Sequence, residues 1–215
     1  MTMMFYTDNG DFMKDKISLL LKIIIVVVSG IGLYLNFKLL TFRESVIYFT
    51  IQSNILCFIF FLIVVILTLC NKLHKNEFYY ISKGMVTMAI TITMFVYQLL
   101  LSSDGGMGAY TNHALECSFV HLFVPILVIA DYILFGEKGN LKRSYPFYWS
   151  IVLLAYVIFN IIYVSLGGRF QGGATYPYFY MNIDEYGLFG VFMNCLVVYI
   201  FFVGYGFIVQ WLDSR

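Results

Sequence analysis

Apolar residues in this chain come in long unbroken runs, with polar residues gathered between the runs and only sparsely inside them. A helix needs about 20 mostly apolar residues to cross roughly 30 Å of hydrocarbon. Six stretches meet that requirement: Ser18–Asn36, Ser45–Cys70, Gly84–Leu101, Glu116–Phe135, Phe147–Leu166 and Gly187–Trp211. Continuous runs favour helices over barrel strands, which alternate in polarity over about ten residues. The connections are short, and none has the composition of a separate soluble domain. The pattern predicts an all-α polytopic membrane protein, a single domain of six transmembrane helices in one bundle.

Composition excludes the main alternatives. Of 215 residues, 61% are hydrophobic and only 12% charged, against about 25% charged in soluble domains. So few charges cannot cover the surface of a soluble protein, and a disordered chain or a secreted disulfide scaffold is excluded as well. The net charge of +1 provides no basic field for nucleic acid. Cys57, Cys70, Cys117 and Cys195 stand singly in apolar surroundings, without the spacing of a redox or zinc motif. No metal site and no cofactor is expected.

Lys and Arg are distributed unevenly among the connections. Lys14, Lys16, Lys72, Lys75, Lys83, Lys138, Lys142, Arg143 and Arg215 fall on one side, and Lys38, Arg43 and Arg169 on the other. By the positive-inside rule both termini are expected in the cytoplasm of a cell whose plasma membrane the protein spans. Lys22, about one turn inside the first span, is expected to snorkel to that face. Met1–Lys16 carries Asp8, Asp11 and Asp15, unlike a signal peptide, so the first span is expected to be retained.

Polar residues inside spans are costly and need a reason. Thr50 and Asn54 share a face of the second span, and His121 lies about as far into the fourth span as Thr50 does into its own. Both are about 7–8 Å below the outer boundary. Thr87, Thr91 and Gln98 form a stripe on the third span, and Asn194 lies in the outer half of the sixth. An outward-opening cavity is expected where these meet. A neutral imidazole in reach of a threonine hydroxyl is a general base beside a nucleophile, and Gln52, Asn54 and Asn194 are candidate donors to an oxyanion. Each group also has a plain structural use: a hydroxyl bonds the carbonyl one turn back, and amides tie helices together. Pro125, one turn after His121, kinks its helix or frees a carbonyl for a neighbour. Asp131, about 15 Å deeper than His121, cannot orient that ring and is expected to neutralise or hydrogen-bond a group near the cytoplasmic end.

The connection 167–186 between the fifth and sixth spans is long and rich in Tyr and Phe. Its aromatic content argues against disorder, and an amphipathic cap at the outer interface is expected, acting as a lid or as an aromatic anchor.

Three islands carry a family resemblance: Tyr48–Phe49–Thr50–Ile51–Gln52–Ser53–Asn54, His121 to Pro125 continuing to Asp131–Tyr132, and Tyr176–Pro177–Tyr178. Together they resemble the bacterial six-helix membrane proteins of the Pr-six-Pr family, distant relatives of the androgen-induced family of intramembrane threonine hydrolases. The resemblance implies the same six-helix fold, and a catalytic pair of Thr50 and His121 that cleaves fatty acid esters of hydroxy fatty acids. Tyr176 and Tyr178 fall on that family's Tyr-Pro stretch and are candidate substrate contacts with Gln98. The chain departs from the hydrolases in placing Asn112–His113 eight residues before His121, which makes His113 a rival base, and in the residues after Tyr178.

Three functions follow from one cavity. The first is an intramembrane lipid-ester hydrolase. The second is an acyltransferase, with Cys117, one turn from His121, as an alternative nucleophile. The third is a non-catalytic transporter or binder of lipids or other amphiphilic small molecules. In each the partner is membrane lipid.

Overall fold

The computed structural model describes residues 4–101 and 114–215, and among these it contains helices and connections but no strand. Eight α-helices follow in order: α1 (Met4–Leu39), α2 (Phe42–Ser45), α3 (Phe49–Leu69), α4 (Glu77–Val96), α5 (Ala114–Ser118), α6 (Val124–Phe135), α7 (Tyr145–Ser165) and α8 (Ile183–Asp213). Wider π-helical turns, Tyr97–Leu101 and Phe119–Phe123, extend α4 and join α5 to α6. Six helical segments are long and apolar enough to cross a membrane: Phe12–Leu39, Phe49–Leu69, Glu77–Leu99, Leu115–Phe135, Tyr145–Ser165 and Ile183–Asp213.

Local chemistry sets the helix starts. Thr41 and Glu44 form a reciprocal capping box that turns the chain from α1 towards α3. Asn76 accepts from the Tyr79 N–H at 3.0 Å and opens α4. Pro146 lies in the first turn of α7, where a missing N–H costs nothing. Asn182 caps α8 with Asp184 and Glu185 in the first turn. The third span therefore begins at Glu77 rather than Gly84.

Two lysines stand differently from the sequence reading. Lys83, counted above with the connections, lies inside α4 and is buried, and Lys22 is buried rather than snorkelling to the surface. Both point at the fully buried Asp131 of α6: Lys22 Nζ is 2.6 Å from Oδ1, and Lys83 Nζ is 2.8 Å from Oδ2. Asp131 thus neutralises buried cations from two other helices, and three spans are joined by one carboxylate.

α4 runs through the middle of the bundle, against α3, α6 and α7. One core cluster holds Met88, Ala89 and Ile92 of α4 against Trp149 and Tyr156 of α7 and Phe202 of α8. A second packs Ile25, Phe61, Ile90, Val124 and Val128 from α1, α3, α4 and α6. Trp149 is fully buried, with its indole laid against the backbone at Gly84. The outward faces of α1, α7 and α8 expose Ile24, Val27, Ile158, Ile161, Val197 and Ile200, a surface suited to acyl chains rather than to water.

The connection 166–182 joins α7 to α8. It folds as two single 3₁₀ turns, Gln171–Gly173 and Phe179–Met181, and Phe170 and Met181 are buried beneath it. Gly187, inside the first turns of α8, has φ of 65° and breaks the helix there, a conformation open to glycine without steric cost.

Candidate functional site

At the end of the bundle covered by this connection lies a cavity of about 530 Å³. Its walls come from α1 (Asn36), α3 (Thr50), the turn before it (Tyr48), the π turns (Tyr97, His121) and the connection (Tyr176, Tyr178). A smaller space of about 40 Å³ lies beneath it, and Thr50, His121 and Tyr178 line both. The expected pair therefore lines the same two spaces, and among the described residues no hydrogen bond joins Thr50 to His121.

The imidazole is held on both faces of its role. His121 is about nine-tenths buried, and its ring stacks on Tyr97 with centroids 4.0 Å apart and planes 18° from parallel. The backbone carbonyl of Thr93 engages the ring, while Nδ1 has no partner among the described residues. Thr93 is tied in turn to α3 through a 2.8 Å contact between its hydroxyl and that of Ser53. A buried nitrogen without a partner is uncommon enough to require an explanation.

The wide turn that carries His121 has a cause in the sequence. The Val124 N–H bonds to the Phe119 carbonyl, five residues back. Continuing that register would require an N–H at residue 125 for the Val120 carbonyl, and Pro125 has none. Asn54 Nδ2 fills the position from α3, donating to Val120 O at 3.1 Å and to the Thr50 carbonyl at 2.8 Å. Asn54 thus links the backbones on which both members of the pair stand. Gly32 of α1 abuts the same turn, where a Cβ would lie 3.0 Å from that of Phe119.

Thr50 is half-buried. Its side chain meets the Tyr178 hydroxyl, which also engages Tyr156 and the backbone of Phe49. Burial pushes the Tyr178 hydroxyl well above its ordinary range, so it stays protonated and able to donate. The connection is pinned over the cavity: the Gln171 N–H donates to the Tyr48 hydroxyl at 3.0 Å, and the Phe170 ring packs on Tyr48 and Tyr163.

The remaining expected residues separate into two groups. Tyr176 and Tyr178 line the cavity with the pair, and so does Cys117. Gln52 instead turns back to the Val46 carbonyl at 2.9 Å. Asn194 donates to Tyr180 O at 3.0 Å and anchors the second 3₁₀ turn. Gln98 is exposed and does not line the cavity, because the π turn at 97–101 carries it out of the stripe of Thr87 and Thr91. Thr91 donates to the Thr87 carbonyl, the plain helix-internal use of a hydroxyl. His113 lies outside the described residues. Tyr97 and Thr93, four apart on α4, and Tyr156 on α7 escaped the sequence reading. The one signal for the first two was their shared helical face. Compared with family models, curated proteins and solved structures, the chain matches none.

Proposed function

We propose that this protein is an intramembrane hydrolase of lipid esters, with Thr50 as nucleophile and His121 as general base, of the kind its motifs resemble. The observation that carries this reading is that His121, buried and with its Nδ1 unpartnered among the described residues, lines the same two cavities as Thr50. In this reading the imidazole proton sits on Nε2, which leaves Nδ1 a lone pair for the Thr50 proton.

In the proposed reaction the Thr50 hydroxyl oxygen attacks the ester carbonyl as its proton passes to His121 Nδ1. The tetrahedral intermediate expels the alcohol, which takes that proton, and an acyl-threonine remains. Water, deprotonated by the same nitrogen, attacks the acyl group, releases the carboxylic acid and returns the proton to Thr50. In this reading the Tyr178 hydroxyl, which meets the Thr50 side chain, turns to donate to the developing oxyanion. Hydrogen bonds between nucleophile and base often tighten only when substrate binds, and in this reading the Thr50–His121 bond forms in the ester complex.

The test is hydrolysis of fatty acid esters of hydroxy fatty acids by purified protein, with acid release followed by mass spectrometry. Release is expected from the wild-type protein and lost at least 100-fold in Thr50→Ala and in His121→Ala. Equal release by Cys117→Ser separates this mechanism from a thiol route. No release by folded wild-type protein would overturn the proposal.

A further inference from the structure

Two apolar hollows adjoin the site. The larger, about 370 Å³, lies between α7 and α8 and is lined by Leu153, Leu154, Val157, Phe192, Leu196 and Tyr199 among others. It shares Leu153, Tyr156, Tyr180 and Val198 with the small space that holds Thr50 and His121. The polar cavity, the space lined by Thr50 and His121 and this hollow therefore adjoin in turn, and Tyr156 and Tyr180 line both of the last two. No charged or amide side chain lines the hollow. Its rim residues Leu154 and Phe192 are 47% and 60% exposed, so it opens sideways on the outer faces of two spans. At that depth a bilayer offers hydrocarbon chains and nothing else of comparable abundance.

We infer that the hollow between α7 and α8 is the side door through which the substrate leaves the bilayer and the seat of its acyl chain. The ester linkage then comes to rest at Thr50 and the polar end in the cavity under Tyr176 and Tyr178. This rests on the reading of Thr50 and His121 as the reacting pair. It adds the route and the residues that set chain selectivity, Leu154, Val157 and Leu196. Because the acyl chain enters from hydrocarbon and not from water, transfer alone gives no gain per methylene; contact with the walls of the hollow does, so turnover is expected to favour chains long enough to fill it.

The experiment uses full-length protein in lipid nanodiscs and a 16-carbon fatty acid with a photoreactive diazirine near its methyl end. Crosslinks are expected on the α7 and α8 peptides that carry Leu154, Val157 and Leu196. They are expected to fall at least tenfold in Val157→Trp and, as a second variant, in Leu196→Trp, and to persist in Thr50→Ala. With ester substrates of graded length, the wild-type preference for long chains is expected to flatten in Val157→Trp. Crosslinks spread evenly over every lipid-facing helix and unmoved by either tryptophan would show annular lipid only and overturn the inference. Protein-to-protein contact filling the hollow would overturn it in favour of a second copy. Groove crosslinks without turnover of any ester would remove the hydrolase reading and leave the chain site standing. Turnover independent of chain length, without groove crosslinks, would do the reverse.

Discussion

Asn54 Nδ2 donates to the Val120 carbonyl across 3.1 Å, from one span to another, at the position left open by Pro125. The same nitrogen reaches the Thr50 carbonyl at 2.8 Å. Replacing Asn54 by Leu keeps the bulk and removes the donor. Interhelical hydrogen bonds in membranes contribute about 0.6 kcal/mol on average and about 1.7 at most, so Asn54→Leu is expected to cost about 1 kcal/mol in detergent unfolding. Loss of reactivity at Thr50 is expected to exceed that modest change, because the turn carrying His121 is no longer tied to α3. Wild-type reactivity in a slightly destabilised Asn54→Leu would show that the tie is structural only.

The buried cluster of Lys22, Asp131 and Lys83 makes a second, separate expectation. Removing one partner of a buried ion pair is strongly destabilising, by about 3–5 kcal/mol, because the other charge is left without compensation. Asp131→Ala is expected to fall in that range, measured as loss of folded protein in denaturant. Adding Lys22→Met and Lys83→Met to the same chain is expected to recover most of it. A triple variant no better than Asp131→Ala would show that the cluster acts through something other than its charges.

Gly84 sits where a Cβ would come within 2.3–2.4 Å of the Trp149 indole. The ring is rigid and fully buried, so neither side can yield cheaply. Gly84→Ala is expected to cost about 1–3 kcal/mol, read from thermal unfolding by tryptophan fluorescence. Gly204, with open space at its Cβ, provides the control, and Gly204→Ala is expected to leave the unfolding temperature nearly unchanged.

At the opposite end of the bundle from the cavity, Glu137 accepts from Lys75 Nζ and from the Tyr80 hydroxyl, each at 2.5 Å. Burial alone would push the Glu137 carboxyl up. The hydrogen bonds from Lys75 and Tyr80, with the charges of Lys75 and Lys83, outweigh it and hold the group below its ordinary value of 4.5. A depressed carboxyl stabilises the fold fully above that ordinary value and loses its contribution as the pH falls through the folded one. The unfolding temperature of the wild-type protein is therefore expected to drop below about pH 4.5 more steeply than that of Glu137→Gln. Parallel curves would remove this contact from the account of acid stability.

How legible each part was depends on the kind of signal it leaves. The spans announce themselves through length and apolarity, and Thr50 and His121 through the rarity of polar groups within them. What was hidden depends on helix rotation and register. Gln98 looked aligned with Thr91 on an ideal helix, but a π turn rotates less per residue than an α-helix, which no periodicity shows. Lys83 read as a loop charge because its partner, Asp131, is distant in sequence. Asn54 read equally as an oxyanion donor or a tie between helices, because its acceptor, a carbonyl left open by a proline on another helix, leaves no mark near it in the sequence. Tyr97 carries no polar rarity at all, and only its position against His121 reveals it.

The central claim is that Nδ1 of His121 activates the Thr50 hydroxyl. The most direct measurement is labelling of purified protein with a fluorophosphonate probe, with the adduct mapped by mass spectrometry in the wild-type protein, Thr50→Ala and His121→Ala. The account requires one adduct, on Thr50, and its loss in both variants while they remain folded. Labelling of Thr50 that survives His121→Ala, or no labelling of folded wild-type protein, would contradict it.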